Sequence, residues 1–311
     1  MQYCAGVAAQ GRPSTAMISD SDWRQLYPFT SRWMPLHGWR CHYVDEGSGR
    51  PVLLVHGNPT WSFFWRELIV GLRADYRVVA IDHIGCGLSD KPPQKAYPYT
   101  LARRIEDLRR FIEELDLHQI TLVAHDWGGA IGMGAAAAFP ERFHALVLAN
   151  TAAFRATTCP WRIRLCRVPL LNRLAIQGLN LFARAALKMA VCQPQRMTAA
   201  VRAGLLAPYD SWRNRVAIRR FVEDIPLKPN HPSYHTLVEV ESSLAAFANH
   251  PVCLIWAMRD WCFTPHFLER FLQYFPQAEV HRLADAGHYV MEDQPQHVLS
   301  IVRGFLQRTA E

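Results

Sequence analysis

The stretch ITLVAHDWGGAIG, residues 120–132, decides the fold. An apolar run is followed by Asp126, then by Trp127 and two glycines, and then by a helical pattern. This order of strand, sharp turn and helix is typical of a nucleophile elbow, which holds one side chain above the edge of a sheet. The small residues Ala124 and Gly128 flank the turn and avoid a clash. We therefore predict that Asp126 is a covalent nucleophile; the alternative is that it only caps the following helix.

On both sides of the elbow, short apolar runs alternate with longer helical patterns. The candidate strands are residues 39–45, 52–56, 77–82, 120–125, 145–149, 252–257 and 279–283. The candidate helices are residues 62–73, 100–115, 127–138, 263–274 and 295–308. Several strand candidates are continuous apolar runs, as in strands that are covered on both faces. The alternation predicts a mostly parallel central sheet flanked by helices, an α/β fold.

The alternation is interrupted over residues 152–250, which are helical in pattern, rich in arginine and punctuated by prolines. We predict that this cap segment is a helical lid, inserted after a sheet strand and lying over the C-terminal edge of the sheet. Residues 23–151 and 251–311 would then form one α/β core. Residues 1–16 are small and polar and lack periodicity, and we predict a disordered leader over residues 1–22. Met17 is an alternative first residue of the natural protein.

Charge is distributed unevenly along the chain. Between residues 155 and 220 there are 13 basic residues against Asp210 alone, a net charge of +12. The other residues carry 21 basic against 26 acidic side chains, a net charge of −5, and the whole chain has +7. Such a basic segment attracts acidic partners, anionic lipid or nucleic acid, although charge runs are often only a solvated surface. The sequence has no zinc-finger, RNP-type or helix-turn-helix signature, so we expect no nucleic-acid binding.

Cysteine usage and hydropathy give an expectation for the cellular compartment of the protein. The eight cysteines are scattered, with no CxxC pair and no spacing of a disulfide framework. The N-terminus shows no secretory signal, and no apolar run is long enough to span a bilayer. We expect a cytoplasmic protein with reduced thiols, with peripheral membrane contact as an option.

A second part of the site is predicted in LLVHGNPTWSFFW, residues 53–65. A His-Gly pair after a buried strand fits the loop that contributes to an oxyanion hole. A backbone N–H near Asn58 would pair with that of Trp127, and the Asn58 side chain would point into the same cavity. The alternative is that Asn58 is only a turn residue before Pro59.

The base and its partner are predicted late in the chain. His288 lies in a Gly-His loop after a strand and is placed to reach the elbow as general base. Asp260 follows the end of another strand and could accept from His288 Nδ1–H, which would fix the tautomer. The order Asp126, Asp260, His288 matches the order of nucleophile, acid and base in this kind of site. Three other carboxylates are too close to His288 in sequence to reach around it easily: Asp285, Glu292 and Asp293.

No cofactor or metal site is expected. The histidines show no HExxH or paired-ligand spacing, and no GxGxxG or P-loop occurs where a nucleotide would need it. The glycine-rich stretch DHIGCGLSDKP, residues 82–92, follows a strand as a tight turn, and we interpret it as structural.

Together, HGNPTW, HDWGG, the post-strand Asp and the late Gly-His resemble the haloalkane dehalogenases over roughly residues 24–308. The resemblance implies the α/β-hydrolase fold with a helical cap. It also implies that Asp126 attacks carbon while Asn58 and Trp127 bind the departing halide.

Three further stretches look like the OleB group, the β-lactone decarboxylases of bacterial long-chain olefin biosynthesis. They are residues 83–92 (HIGCGLSDKP), 149–154 (ANTAAF) and 208–227 (PYDSWRNRVAIRRFVEDIPL). This resemblance implies a hydrophobic cis-β-lactone as substrate and a long-chain cis-alkene and CO₂ as products. Attack at the β-carbon and attack at the carbonyl of the lactone both stay open.

Three alternatives belong to other classes of protein. A haloalkane dehalogenase would use the same residues hydrolytically. An epoxide hydrolase would need acidic hydroxyls in the lid; Tyr209 and Tyr234 are available, but their surroundings do not resemble that family. A binding or scaffold module on the same fold would not need the complete set of nucleophile elbow, general base, carboxylate partner of the base and oxyanion hole.

Apolar residues and arginines interleave from Trp161 to Val191 in the cap segment. We expect an amphipathic helix whose apolar series lines a substrate channel and whose arginines face outward. The apolar series is Leu165, Val168, Leu171, Leu174, Ile176, Leu179, Leu181, Phe182 and Leu187. The arginine face would dock an acidic partner, with the upstream β-lactone-forming synthetase as first choice and an anionic membrane as second. A solvated face without a partner is the alternative.

Overall fold

The computed structural model describes residues 20–156 and 159–309. Its centre is an eight-stranded sheet. The strands are β1 Ser31–Leu36, β2 Trp39–Glu46, β3 Pro51–Val55, β4 Arg77–Ile81, β5 Ile120–Asp126, β6 Phe143–Thr151, β7 Val252–Ala257 and β8 Glu279–Leu283. Their order across the sheet is β1-β2-β4-β3-β5-β6-β7-β8. Strands β3 to β8 pair in parallel, and β1 and β2 are antiparallel additions at one edge.

Helices cover both faces of this sheet. They are α1 Asp20–Gln25, α2 Arg66–Leu72, α3 Leu101–Glu114, α4 Trp127–Ala136, α5 Trp161–Leu165, α6 Leu181–Met189, α7 Ala199–Leu206, α8 Val216–Glu223, α9 Tyr234–Ser243, α10 Pro265–Tyr274, α11 Val290–Asp293 and α12 Pro295–Arg308. Helices α2 and α12 contribute to the apolar core on one face, and α3, α4 and α10 to the core on the other. Every residue of β3, β5 and β7 is buried, because these central strands are covered on both sides.

The strands and helices predicted for the core are present, with ends that differ by one or two residues in most cases. Thr100 caps α3 as its sequence position suggests, since its hydroxyl accepts from the backbone N–H of Arg103. Strand β1 was not predicted. A disordered leader is predicted over residues 1–22; residues 1–19 lie outside the described part, and the described chain begins with α1 at Asp20.

Between the end of β6 and the start of β7, the described chain of the cap segment is helical. It holds α5 to α9, a π-helix over Arg173–Gly178 and several short 3-10 turns, and no strand lies in its described part. No helix in residues 20–156 or 159–309 combines the length and the apolar character needed to cross a bilayer. Because it follows β6, which ends beside the elbow, the cap segment lies close to Asp126.

Candidate active site

The elbow at the end of β5 places Asp126 in a backbone conformation that few residues adopt. Its φ is 55° and its ψ is −127°, and the register between β5 and β6 shifts there. The chain can pass so closely only because its neighbours are glycines. A Cβ on Gly57 would lie 2.0 Å from Asp126 Oδ1, and one on Gly128 would lie 2.1 Å from the carbonyl oxygen of Val55. The Asp126 side chain has no capping hydrogen bond to the following helix. A capping role therefore does not explain the residue.

The two oxygens of the Asp126 carboxylate have different surroundings. Oδ1 accepts a hydrogen bond from the backbone N–H of Asn58 at 2.7 Å, and the backbone N–H of Trp127 is also directed at this carboxylate. Oδ2 lies 3.5 Å from His288 Nε2. The backbone N–H of Asn58 thus holds Oδ1, and Oδ2 lies on the side of His288.

Asp260 orients His288 through the ring nitrogen that faces away from Asp126. Its Nδ1 lies 2.8 Å from Asp260 Oδ2. The other oxygen, Asp260 Oδ1, accepts from the backbone N–H of Cys262 at 2.6 Å and from that of Phe263 at 3.1 Å. These bonds orient the carboxylate, which in turn orients the imidazole with Nε2 toward Asp126. The structure therefore brings Asp126, His288 and Asp260 together in one row, in which His288 is hydrogen-bonded to Asp260 and lies 3.5 Å from Asp126.

Charge is concentrated in this row. Burial favours the neutral imidazole, but the negative charges of Asp260 and Asp126 outweigh burial and raise the pKa of His288 to about 10. Burial also opposes ionisation of Asp126, yet the hydrogen bond and positive charge of His288 lower the pKa of that carboxyl. The two carboxylates thus favour the imidazolium form of His288.

The other carboxylates near His288 in sequence have separate partners. Glu292 forms a buried pair with Arg66, with an Nη2–Oε2 distance of 2.6 Å. Asp293 accepts from the backbone N–H groups of Cys192, Gln193 and Gly287. Asp285 pairs with Arg259 at the surface.

A cavity of about 480 Å³ lies above the row, between the sheet and the cap segment. Its walls are mostly apolar, and Asp126, His288 and Arg162 are the charged residues that line it among those described. Asn58 and Trp127 also line it, as predicted from the sequence. One amide hydrogen of Asn58 is already used, because Nδ2 donates to the carbonyl oxygen of Ile218 at 3.2 Å.

The Trp127 ring lies 5.6 Å from the ring of Phe221, between centroids. Within the part of the chain that the structure describes, its indole N–H has no protein acceptor. Asn58 and Trp127 therefore leave N–H donors at the cavity wall beside the nucleophile, where a departing anion would be stabilised.

Sequence reasoning missed His125, the residue before the nucleophile. It is fully buried, its Nε2 lies 2.8 Å from the carbonyl oxygen of His288, and the two rings lie 4.7 Å apart between centroids. Burial and the positive charge of His288 lower the pKa of His125 to about 3. A neutral His125 donates to this carbonyl and holds the loop that carries the base. The only signal for it was its place in the HDW triplet.

The two tyrosines considered for an epoxide hydrolase are not in the cavity wall. Tyr209 is fully buried and donates to the carbonyl oxygen of Thr60 at 3.1 Å. Tyr234 is likewise absent from the described lining. The hydroxyls needed to protonate an epoxide oxygen from the lid are therefore not supplied by these residues.

One cluster of metal-type ligands lies away from the cavity, in the described part of the chain. Cys253, Glu279 and His281 place one ligand atom each within 4.8 Å of one another. His281 Nε2 bonds to Glu279, which also pairs with Arg308, and burial raises the pKa of the Cys253 thiol well above its usual range. Glu279 is thus already paired with His281 and Arg308, and none of the three residues lines the cavity of the candidate site.

The cap segment differs from the single amphipathic helix expected over Trp161–Val191. The chain breaks there into α5, the π-helix and α6. Of the apolar series, Leu165, Leu171, Ile176, Leu181 and Phe182 line the cavity as expected. The expectation is wrong for Val168, Leu174 and Leu179, which are exposed and outside the lining, and for Leu187, which is buried outside it.

Several arginines of the basic segment are structural, which neither the docking nor the solvated interpretation anticipated. Arg215 donates to the carbonyl oxygens of Tyr209, Gln177, Gly178 and Asp210. Arg219 and Arg220 both pair with Glu223. Arg215 and Arg219 connect the start of α8 to the π-helix through Gln177 and Gly178, and the pairs with Glu223 lie within α8 itself.

The comparison with known proteins agrees with this architecture. The sequence model of the family described as alpha/beta hydrolase fold matches residues 50–295. The chain belongs to this family. The match includes the elbow, the strands β3 to β8 of the parallel sheet, and the loops that carry Asp260 and His288.

Individual relatives indicate which enzymes of this large family the chain is similar to in sequence and fold. A cis-3-alkyl-4-alkyloxetan-2-one decarboxylase of Shewanella oneidensis is 42% identical over 91% of this chain and 90% of its own length. Haloalkane dehalogenase 2 of Mycobacterium bovis is 34% identical over 89% of this chain and 95% of its own. The crystal structure of the haloalkane dehalogenase DatA from Agrobacterium tumefaciens superposes with a TM-score of 0.81 at 25% identity, over 90% and 97% of the two chains. The relatives are enzymes, so the scaffold interpretation loses its support.

Proposed function

We propose that this protein is a decarboxylase of cis-3,4-dialkyl-oxetan-2-ones, cis-β-lactones, and that it releases a cis-alkene and CO₂. The proposal rests on the similarity to the decarboxylase of Shewanella oneidensis and on the apolar cavity above a carboxylate nucleophile. No water, metal or redox cofactor is consumed in this reaction, since the lactone already contains all atoms of both products.

The observation that carries the mechanism is the hydrogen bond from the backbone N–H of Asn58 to Asp126 Oδ1. In a serine hydrolase, the corresponding donors face the carbonyl oxygen of the substrate. Here they face the carboxylate of the enzyme. A lactone attacked at its carbonyl would need a donor for its new oxyanion, and the backbone N–H of Asn58 is already bonded to Asp126. Attack at the ring β-carbon avoids this problem, because no oxyanion forms at that carbon.

The reaction can then be written in two steps. Asp126 Oδ2 attacks C4 of the ring and the C4–O1 bond breaks, which leaves an ester on Asp126 and a free carboxylate on C3. The C3–C2 bond then breaks, its electron pair forms the C3=C4 double bond, and the C4–O bond to Asp126 returns its pair to the carboxylate as CO₂ leaves. The first step inverts C4, and an anti elimination follows in the second step. Together they place the two alkyl groups of the cis-lactone on the same side of the double bond, which gives the cis-alkene.

The surrounding residues have defined tasks in this scheme. The departing ring carboxylate lies against the N–H donors of Asn58 and Trp127, and the imidazolium of His288 adds positive charge nearby. The mostly apolar walls receive the alkyl chains. Exclusion of water protects the ester on Asp126 until CO₂ is lost.

Hydrolytic dehalogenation is the second candidate, because the same N–H donors fit a halide and the sequence is 34% identical to a haloalkane dehalogenase. The discriminating experiment incubates the protein separately with a synthetic cis-β-lactone and with a bromoalkane of similar length. We expect alkene and CO₂ from the lactone in the first reaction. Bromide release from the bromoalkane without alkene formation from the lactone would replace the proposal by the dehalogenase.

The matched control is Asp126→Asn, which keeps the size of the side chain and removes the nucleophile. Loss of a covalent nucleophile should reduce turnover by at least about 10⁴-fold. Alkene formation that persists in a folded Asp126→Asn protein would contradict the role of Asp126.

A further inference from the structure

The mouth of the cavity is bordered by exposed apolar side chains of the cap segment. Leu165, Leu171, Leu181 and Met189 all line the cavity, and each leaves between 42% and 51% of its surface exposed. Side chains that both line a cavity and face solvent lie at its opening. We call these four residues the mouth.

Three more exposed leucines belong to the same stretch of chain as the mouth, residues 165–189. Leu170, Leu174 and Leu179 are 71%, 55% and 64% exposed and do not line the cavity. We call them the outer rim. In the described part of the chain, the exposed large apolar side chains outside the cap segment are Trp33, Val70 and Leu88. Single exposed apolar residues are ordinary, but a concentration of them around one opening marks a docking surface.

Four cations are interspersed with these leucines along the chain. Arg164, Arg173, Arg184 and Lys188 are exposed. No carboxylate of the described chain lies within 4.0 Å of any of them. They contrast with Arg215 and Arg219, whose guanidinium groups are bonded to the fold. This part of the surface is therefore both apolar and positively charged.

We propose that the mouth, the outer rim and these four cations form a surface that docks on an anionic lipid bilayer. Apolar side chains that enter the headgroup boundary, with basic residues beside them, are the combination that holds a protein at such a surface. An acidic protein partner would meet the same charges. However, leucine is under-represented among the side chains that anchor protein interfaces, and the most exposed residues of the outer rim are leucines.

The location of the surface explains its use. Because the mouth opens within it, an apolar molecule could pass between the bilayer and the cavity without crossing water. This inference stands on the exposed residues and the cavity, and it does not depend on which reaction the site carries out.

The test is co-sedimentation with vesicles of equal parts phosphatidylglycerol and phosphatidylcholine, and with vesicles of phosphatidylcholine alone. We expect the protein to bind the anionic vesicles at low salt. The variant Arg164→Gln, Arg173→Gln, Arg184→Gln should bind them roughly a hundredfold more weakly, since each basic residue adds about 1 kcal/mol near an anionic surface. The variant Leu170→Ser, Leu174→Ser, Leu179→Ser should also bind more weakly, because it loses apolar contact with the bilayer. This weakening should persist at high salt, since salt screens charges and not apolar contacts.

The matched control is Arg32→Gln with Trp33→Ser, an exposed basic and apolar pair on β1 at the far edge of the sheet. It should bind as the unchanged protein does, and circular dichroism checks that every variant is folded. Failure of the unchanged protein to sediment with anionic vesicles at low salt would overturn the proposal. A second result would also overturn it: the unchanged protein and the leucine variant both bind polyglutamate beads, and the unchanged protein does not bind vesicles. That result would indicate that the basic residues dock on an acidic protein surface.

Discussion

Replacing His288 with Gln tests whether the site rests as a charged cluster. The pKa of His288 is about 10 in the folded protein and about 6.5 in an unfolded chain. The folded state therefore holds this proton more tightly than the unfolded state. The resulting stability is fully present below about pH 6.5 and is lost as the pH rises toward about 10. Glutamine keeps a polar side chain at the position and does not titrate.

The two pKa values set the size of the effect. Proton linkage gives a contribution of about 4 kcal/mol to the free energy of unfolding at about pH 7, and about 1 kcal/mol at about pH 9.5. Between these pH values, the unchanged protein should lose about 3 kcal/mol more stability than His288→Gln. Cysteine and lysine side chains also titrate in this range, but they are the same in both proteins and cancel in the difference.

The assay is urea-induced unfolding followed by tryptophan fluorescence, at a series of pH values. The unchanged protein and the variant should give free energies that converge as the pH rises. Parallel dependences on pH would refute the reasoning, because they would mean that His288 does not hold its proton against Asp126 and Asp260 in the fold.

Three further predictions concern single positions. Gly57→Ala should reduce turnover about 100-fold or more while the protein stays folded, because its Cβ would lie 2.0 Å from Asp126 Oδ1; near-normal turnover would contradict the tight approach. Asp82→Asn should cost roughly 3–5 kcal/mol at neutral pH, since this fully buried carboxylate is paired. Burial opposes its ionisation, but His42 lowers the pKa of Asp82 to about 2, so the loss should shrink as the pH falls from about 4 toward 2 in urea titrations. Arg66→Met should cost about 3–5 kcal/mol because it leaves Glu292 buried and unpaired, and adding Glu292→Leu should restore most of it in the same assay.

The parts of the fold that could be predicted are those where burial leaves a simple pattern. Strands β3, β5 and β7 are buried on both faces, so their sequences are continuous apolar runs. The elbow was recognisable because a close backbone approach requires small residues, and Gly128 supplies one. His288 and Asp260 were identified because both follow strand ends, which meet at one edge of a parallel sheet.

Other features depend on contacts that leave no local pattern. Strand β1 is an edge strand with a mixed burial pattern and contains Pro35, so neither alternation nor an apolar run marks it. Leu174 lies in the π-helix and Leu179 directly after it, so the 3.6-residue period of one continuous α-helix does not predict which side of the chain they occupy. The structural role of Arg215 depends on carbonyl groups whose positions are set only by the folded cap segment.

The position of His288 between two carboxylates affects the stage of the reaction at which this residue can act as a base. In the proposed mechanism, formation of the ester moves a negative charge from Asp126, 3.5 Å from His288 Nε2, to the carboxylate released from the lactone. The pKa of His288 then falls to the extent that this new carboxylate lies farther from the imidazolium than Asp126 did. The ring therefore becomes able to remove a proton from water only after a covalent bond to the substrate has formed. Prompt loss of CO₂ restores the carboxylate and with it the imidazolium. Whether the ester on Asp126 is hydrolysed or decomposes to alkene then depends on which event comes first, and the lifetime of that ester sets the ratio of the two products.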